Sequence, residues 1–315
     1  MAITSSNVIQ TSVSAYFEGL LQPSDSYTRI FNMRSDDVGS LRLAALTGIP
    51  DPGTWDGSAD LTTATLDSTG AVTMSYQGYG VQVRIGKLQA KDIPGVVEMA
   101  SRKLGRSVAS KRAALAWAHL ETAFTASASA IADGKALCAN DHTTVLGGSD
   151  TRSNLAADSA LDRSAFLAMI KQARESVNFQ NQINDWADAP KCLVVPAELE
   201  TAALEIVGSP FSMNAPTSVG TPADMYGPAS VQGEVNTAGR YNTTVLVSPY
   251  LAGASNYFLI ADPSIENPLT YWTRSAPDFR VDVDQDNGAV KLSVDWASAT
   301  QSGPQPDGII GCNKS

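Results

Sequence analysis

The chain has 315 residues, of which 43% are apolar and 17% are charged, a composition typical of a globular protein with few charges. Its net charge of −10 argues against a protein that binds nucleic acid over its whole surface, because phosphate binding needs basic patches. Three widely spaced cysteines favour a reducing compartment, and with neither a leader nor a membrane-length apolar stretch we expect an intracellular protein.

Residues 1–45 have the pattern of a polar N-terminal arm. Serines alternate with apolar residues such as Val8, Val13 and Tyr16, and part of the arm is expected to be helical. The stretch is too short and too mixed to hold a core of its own. We therefore expect the arm to lie on another surface.

Residues 46–93 predict extended β-structure. Turn formers at 51–53 and 67–70 punctuate this region. Apolar and polar residues alternate over 72–76 and again over 79–85. Such alternation is typical of strands with one covered face, so we predict a long hairpin followed by a strand that leads into the core.

Residues 96–132 show the clearest helical pattern, directly after Pro94-Gly95. Apolar residues recur at helical spacing along one side, and Trp117 and Phe124 belong to this stripe. A helix of that length would extend ~50 Å. Its continuity is weakest at Gly105 and in the Ser/Ala-rich end.

Residues 133–265 have a mixed pattern. They predict two helices, three strands and long loops: a helix over 161–177 that begins near Asp158 or Ser159, a strand over 191–195, a helix over 196–207 with proline in its first turn, loops over 208–240, and strands over 245–247 and 257–260.

Residues 268–300 carry the strongest β-signal. Apolar residues alternate with charged or polar ones over 279–283 and again over 290–296. Asn287-Gly288 lies between the two runs, and both residue types tolerate the positive φ that tight hairpin turns require. We therefore predict an antiparallel hairpin with its turn at this pair.

The chain has two histidines, which leaves few candidates for a catalytic residue. His142 follows Asp141 and lies four residues after Cys138, which would suit a Cys-His nucleophile or half of a metal site. A zinc site needs three or four ligands and the chain has no second cluster, so a loop histidine beside a small buried cysteine is the favoured interpretation. His119, inside the long helix, is interpreted as a packing residue.

Other motifs of enzymes and ion-binding proteins fail in detail. Asp282, Asp284 and Asp286 are spaced as in a calcium loop. The sixth and twelfth positions of that loop are Asn287 and Ser293, however, where glycine and glutamate are needed. We interpret the three aspartates as part of the solvent-exposed face of the hairpin. Without a phosphate loop or a Gly-x-Ser-x-Gly elbow, an enzyme is disfavoured and no cofactor is expected.

One stretch is distinguished by its charge. Eight basic and two acidic residues give residues 84–112 a net charge of +6, which leaves −16 for the rest of the chain. The segment could be a solvated helix face, a surface that meets acidic parts of neighbouring copies, or a face that meets packaged nucleic acid weakly. Contact between subunits is favoured, because the rest of the chain supplies the opposite charge.

Several motifs follow one another in a characteristic order. They are Tyr79-Gly80-Val81-Gln82-Val83-Arg84-Ile85-Gly86-Lys87-Leu88 running through Asp92 into the long helix, then Gly134-Lys135-Ala136-Leu137, Asp141-His142, Gly147-Gly148, Ser153-Asn154-Leu155, residues 193–200, and Asn267-Pro268-Leu269-Thr270-Tyr271. In this order they resemble the HK97-type major capsid protein of tailed bacteriophages, and the middle motifs are similar to the Mu-type major head subunit. The resemblance covers about residues 60–300.

This resemblance implies an α+β, HK97-like capsid fold. Its expected parts are an N-terminal arm (1–45), an extended loop with an incoming strand (46–93), a spine helix with the peripheral domain (94–154), an axial domain (155–265), a returning peripheral hairpin (266–300) and a C-terminal tail (301–315).

The resemblance also implies a major capsid protein, whose pentamers and hexamers close into an icosahedral shell around double-stranded DNA without sequence-specific binding. Expected partners are further copies of the chain, a separate scaffolding protein and a portal, with a decoration protein as an open option and no membrane. Assembly would take place in the host bacterial cytoplasm. No catalytic or metal residue is expected, and the expected assembly contacts are Trp55, Asp67, Gly70, Arg84, Lys87, Arg102, Lys103, Arg106 and Arg112.

Two other functions stay open. The same fold would suit an encapsulin-like compartment around a cargo enzyme. A phage or bacterial enzyme or carbohydrate-binding protein would instead use Asp141, His142 or the acidic hairpin residues.

Overall fold

The structure, a computed structural model, describes residues 5–21, 25–46, 68–143, 150–178, 182–208, 211–212, 234–236, 238–251, 255–264, 268–284 and 287–314. The chain divides into two compact units. Unit 1 comprises Met1–Leu137 with Asn267–Asp307, and unit 2 comprises Cys138–Glu266 with Gly308–Ser315.

Helices and strands alternate irregularly along the chain. In order they are α1 (Ser5–Leu20), β1 (Asn32–Ser35), β2 (Ser40–Leu46), β3 (Ser68–Ser75), β4 (Gln77–Ile85), α2 (Lys87–Asp92), α3 (Val96–Glu121), α4 (Ala126–Ser129), β5 (His142–Thr143), β6 (Thr151–Arg152), α5 (Arg163–Arg174), β7 (Lys191–Pro196), α6 (Glu200–Gly208), β8 (Phe211–Ser212), β9 (Glu234–Val235), β10 (Thr243–Ser248), β11 (Tyr257–Ala261), β12 (Leu269–Val283), β13 (Val290–Ser302) and β14 (Ile309–Cys312).

A core of unit 1 lies between α3 and a four-stranded sheet with the order β1-β12-β13-β4. The predicted hairpin is confirmed, since β12 and β13 pair antiparallel with Val281 opposite Leu292. Leu292, Val294 and Trp296 on β13 are all buried, whereas Asp295 between them is exposed. This follows from the strand period of two, which places alternate residues on the same face.

The hairpin loop is closed by backbone hydrogen bonds at Asp284. The N–H of Asp284 donates to the carbonyl of Ala289 (2.8 Å), and the N–H of Gly288 donates to the carbonyl of Asp284 (2.7 Å). Gly288 has a φ of +65°, which glycine adopts without strain. The Asn-Gly pair thus lies in the loop as predicted, although the loop is longer than a two-residue turn.

The long helix is confirmed but is shorter than predicted, because α3 ends at Glu121 rather than near residue 132. The hydroxyl of Thr122 donates to the carbonyls of Ala118 and His119, both at 3.1 Å. The backbone then tightens, with the N–H of Ala123 donating to the carbonyl of Leu120. Threonine side chains that bond nearby backbone in this way compete with continued helix.

The predicted arm is helical over α1, which packs closely on α3. Glycines allow this approach, because a Cβ on Gly19 would collide with the carbonyl of Arg102 and a Cβ on Gly105 with that of Tyr16. Tyr16 is buried in a core of unit 1 and stacks on Phe279 with ring centroids 4.5 Å apart. Gly105 therefore does not break the helix; it makes room for α1.

Strand pairing in the predicted extended loop differs from the prediction. β3 pairs antiparallel with β2, which the residue pattern assigns to the arm, and Leu43 lies opposite Val72. β4 pairs instead with β13 of the returning hairpin. The predicted turn at 67–70 is wrong for residues 68–70, which belong to β3, and the predicted turn at 51–53 lies outside the described residues. Alternation identifies a strand but does not name its partner.

Unit 2 is built on a second four-stranded sheet with the order β10-β7-β11-β14. The predicted strands are confirmed as β7, β10 and β11, where Leu193 lies opposite both Val245 and Leu259. Phe166 from α5 and Ile206 from α6 pack with these strands in one core cluster. The continuous apolar runs of β7 and β11 reflect burial of both faces of the sheet.

The N-terminus of α5 differs from the prediction, because Asp162 caps it rather than Asp158 or Ser159. A carboxylate oxygen of Asp162 accepts from the backbone N–H of Ala165 at 2.7 Å and from the hydroxyl of Ser164 at 2.7 Å. This satisfies one of the backbone donors that a helix leaves unpaired at its start.

We expect Asp162→Ala to lower the free energy of unfolding by about 1 kcal/mol, because the N–H of Ala165 loses its acceptor. Urea titration of the purified chain measures the difference. Asp162→Asn keeps a capping oxygen and should recover most of the loss. Equal stability of the alanine variant and the unchanged chain would contradict the cap.

The predicted helix over 196–207 is confirmed as a 3₁₀ turn, Ala197–Leu199, followed by α6, with Pro196 at the start. Most of the predicted loop region 208–240 lies outside the described residues. Among the helices of the described ranges, none is both long and apolar enough to cross a bilayer.

Candidate functional site

Of the residues proposed for chemistry around His142, only the histidine itself lies in a buried polar network, whereas Asp141 beside it is exposed. His142 is fully buried, and its Nε2 lies 3.1 Å from Oδ1 of Asn154. The same oxygen accepts from the backbone N–H of Ala139 at 2.9 Å. Burial raises the pKa of the Cys138 thiol, which makes the thiolate nucleophile scarce. His142 lies on the short strand β5 rather than in a loop as expected, and its hydrogen bond links this strand to Asn154, which follows β6.

We expect His142→Ala to lower the free energy of unfolding by about 1–3 kcal/mol, because a buried imidazole and its hydrogen bond are removed. Thermal unfolding of the purified chain measures the loss. His142→Asn, which keeps a polar group near Asn154, should lose less. A catalytic role would be indicated by loss of an activity in a variant of unchanged stability.

Two further buried ionisable side chains are held by hydrogen bonds. The Nε2 of His119 lies 2.7 Å from the hydroxyl of Ser302, and burial lowers its pKa to about 4. The Nζ of Lys191 donates to the carbonyls of Ala187 (2.5 Å) and Ala189 (2.8 Å), and burial lowers its pKa to about 8. Within the described residues, no group of three or more His, Cys, Asp or Glu side chains could hold a metal ion.

The acidic hairpin is neutralised in part by the neighbouring strands. A single carboxylate oxygen of Asp284 lies 3.3 Å from Arg84 and 3.2 Å from Lys291. Asp278 accepts from Arg280 on the same strand at 2.6 Å. These carboxylates are therefore partners of basic side chains, whereas Asp286 lies outside the described residues.

The described assembly contacts before residue 90 lie on three different elements of unit 1, namely β3, β4 and α2. Trp55 and Asp67 lie outside the described residues, and Gly70 pairs with Ala45 in the β2–β3 ladder. Arg84 forms the ion pair with Asp284 just described. Lys87 covers Gly288 of the hairpin loop, where a Cβ would meet its methylene chain.

On α3, three basic residues are engaged within unit 1. Arg102 pairs with Glu18 of α1 (2.9 Å) and with Glu98 (3.2 Å). Lys111 lies over the ring of Tyr79, and Arg112 over that of Tyr271, at 5.7 and 5.6 Å from the ring centroids. Such contacts hold the helix against its own unit.

Lys103 and Arg106 are different, because both are exposed and neither forms an ion pair with a described residue. They lie three positions apart and therefore on the same side of α3. Met99, one turn earlier, has 48% of its surface exposed. We call Met99, Lys103 and Arg106 the basic face of α3.

Two surfaces were not identified from the residue pattern. Ile9 and Phe17, eight positions apart on α1, are exposed, and so is Leu21 directly after the helix. Glu198, Glu200, Leu204 and Glu205 are exposed on the 3₁₀ turn and α6, and these four residues are called the acidic face of α6. The helical spacing of the apolar residues on α1 could have indicated the first surface from the sequence. The same spacing is typical of the buried side of a helix, however, so it did not identify an exposed surface.

The comparisons with known proteins agree with this architecture. A family model described as phage capsid protein matches residues 71–310. No curated protein matches the chain. Similar solved structures include the mature capsid of bacteriophage PhiM1 (10% identity, TM-score 0.56, 92% of this chain and 86% of that chain). The capsid of cyanophage P-SCSP1u is similar as well (12% identity, TM-score 0.55, 92% of this chain and 88% of that chain).

A virus-like particle from Pyrococcus furiosus shares the fold too (9% identity, TM-score 0.53, 96% of this chain and 98% of that chain). These likenesses confirm the expected α+β, HK97-like fold. The family match spans the chain from β3 into β14, well over half of its length. The chain therefore belongs to the phage capsid protein family.

Proposed function

We propose that this chain is the major capsid protein of a tailed bacteriophage, and that its pentamers and hexamers close into an icosahedral shell around double-stranded DNA. The observation that carries the proposal is the phage-capsid family match over residues 71–310, which includes α3 and most of both four-stranded sheets.

Exposed apolar side chains support burial against neighbouring copies. The exposed fractions are 43% for Ile9 and 53% for Phe17 on α1, and 80% for Leu21 directly after the helix. Leu88 on α2 is 72% exposed. Clustered exposed apolar residues of this kind mark interaction surfaces, because water contact with them is unfavourable.

The negative net charge of the chain supports a shell from which DNA can be released. A net charge of −10 opposes tight binding of DNA to the inner wall. The proposal includes assembly in the host cytoplasm with a separate scaffolding protein and a portal, and leaves room for a decoration protein outside. Of the expected assembly contacts on α3, Lys103 and Arg106 are exposed and form no ion pair with a described residue, which supports contact with another subunit.

Negative-stain electron microscopy of the purified chain, expressed with and without its genomic neighbours, tests the proposal. Closed shells, tubes, or rings of five or six subunits are expected. A persistent monomer or small oligomer, even with a scaffolding protein supplied, would contradict it.

The contents of native particles separate the two shell functions. Particles that hold nucleic acid support the phage head, whereas particles that hold a protein cargo would support an encapsulin-like compartment. The family match favours the phage head. An enzyme would need a site elsewhere than His142, whose ring is buried and bonded to Asn154.

A further inference from the structure

Two segments of the chain each carry charge of one sign. Residues 99–120 contain five basic residues and no acidic one, whereas residues 192–239 contain five acidic residues and no Lys or Arg. The first segment belongs to α3 of unit 1, and the second runs from β7 to β9 in unit 2. Neither segment therefore contains residues of opposite charge that could neutralise it.

The basic face of α3 keeps its charge exposed. Arg102 is paired with glutamates, and Lys111 and Arg112 are held over aromatic rings of unit 1. Lys103 and Arg106 have neither kind of contact with a described residue, so their charges are the ones available to a partner. Both side chains are exposed, and Met99 beside them adds apolar surface. Such a surface suits a partner that has acidic residues to meet the two charges and an exposed apolar residue to pack on Met99.

The acidic face of α6 has the matching composition. Glu198, Glu200 and Glu205 are exposed and form no ion pair with a described residue. Leu204 among them has 51% of its surface exposed. The opposite side of α6 is anchored by Ala203 and Ile206 in the core of unit 2, which fixes the orientation of the exposed side.

We propose that the acidic face of α6 in one copy of the chain docks on the basic face of α3 in a neighbouring copy. Each face pairs one exposed apolar side chain with charges, and the charges have opposite signs. The contact joins two different surfaces, so every copy offers one of each and the contact can repeat from subunit to subunit around a ring. This inference rests on the proposed function, because it describes a contact within the assembled shell.

Neighbouring copies fit the basic face better than DNA does. An exposed methionine, Met99, lies beside the two exposed cations. Its apolar side chain would make no favourable contact with the phosphates of DNA. The many copies in a shell also bring the acidic face to high local concentration, and opposite charges both speed and orient such an encounter.

Charge reversal tests the docking. One variant carries Lys103→Glu with Arg106→Glu, a second carries Glu200→Lys with Glu205→Lys, and a third carries all four substitutions. Each double variant is expected to raise the subunit concentration needed for half-maximal assembly about tenfold or more, because like charges then face each other. The fourfold variant should return to within about threefold of the unchanged chain, because the pairs are restored with exchanged signs.

Control experiments distinguish an effect on assembly from an effect on folding. Glu121→Lys with Lys171→Glu exchanges two exposed charges outside both faces and should assemble like the unchanged chain. Circular dichroism and thermal unfolding confirm that every variant is folded. A fourfold variant that folds but does not regain assembly would overturn the docking.

The remaining outcomes separate this inference from the proposed function. If both double variants assemble like the unchanged chain, the docking is wrong and the shell function stands. If the Lys103→Glu/Arg106→Glu shells form normally but hold less DNA, the basic face meets DNA and the docking is wrong. If the unchanged chain never assembles, the proposed function fails and the docking with it.

Discussion

Gly105→Ala is expected to lower the free energy of unfolding by about 2 kcal/mol and to loosen α1 from α3. A Cβ at this position would meet the carbonyl of Tyr16 and the backbone nitrogen of Leu20 at less than contact distance. Backbone atoms cannot rotate away as a flexible side chain can. Alanine favours a helix over glycine by ~1 kcal/mol, so the clash must outweigh that gain.

Denaturant titration measures the stability change, and limited proteolysis measures exposure of α1. Gly19→Ala, on the other side of the same crossing, should have a similar effect because its Cβ would meet the carbonyl of Arg102. Ser110→Ala leaves a methyl side chain on the exposed side of α3, where it meets no backbone, and should leave stability unchanged or slightly higher. A Gly105→Ala variant as stable as Ser110→Ala would show that the crossing is looser than described.

Mild acid is expected to destabilise the fold through His119. The pKa of this buried side chain is about 4, below the ordinary value of 6.5, because burial penalises the charged ring. Between these values the unfolded chain binds a proton that the folded chain does not bind. Stability is therefore fully present above pH 6.5 and is lost as the pH falls towards 4, by about 3 kcal/mol in total.

His119→Gln isolates this effect from the titration of carboxylates. Its neutral amide can still bond the hydroxyl of Ser302, but it takes up no proton in this range. Urea titrations at pH 7 and pH 4 should show that the unchanged chain loses about 3 kcal/mol more than the glutamine variant. Equal losses in the two proteins would mean that His119 is accessible to protons in the folded state.

Local pattern was sufficient for the hairpin, the long helix and three strands of unit 2, β7, β10 and β11. It missed β14, which lies in the segment 301–315 that was expected to be a C-terminal tail. In the hairpin and the long helix, the apolar period matched the period of the element, and burial followed the same period, as in Leu292, Val294 and Trp296. The strands β7 and β11 were recognisable instead as short continuous apolar runs. The pattern was insufficient for the end of α3 and for the cap at Asp162. Those depend on which hydroxyl or carboxylate reaches a particular backbone group, and several nearby residues had the same chemistry.

The candidate contact surface shows the same division. The sequence located the basic segment, but it could not separate Arg102 and Arg112, which are engaged within unit 1, from Lys103 and Arg106, which are exposed. The partners of the engaged residues, Glu18 and Tyr271, lie far away along the chain. Long-range contacts of this kind leave no local period to detect.

By itself, the sequence located the long helix, the returning hairpin and the sign of the charge on each segment, because these depend on local spacing and composition. The order of its motifs also resembles that of the HK97-type capsid proteins, the family that the comparisons then showed. Only the tertiary structure decided that β2 rather than β4 pairs with β3, and that Gly105 serves the approach of α1 rather than a break in α3. It also decided which charges stay exposed on α3 and α6. These properties arise where distant segments meet, and there the space available to each side chain sets its role.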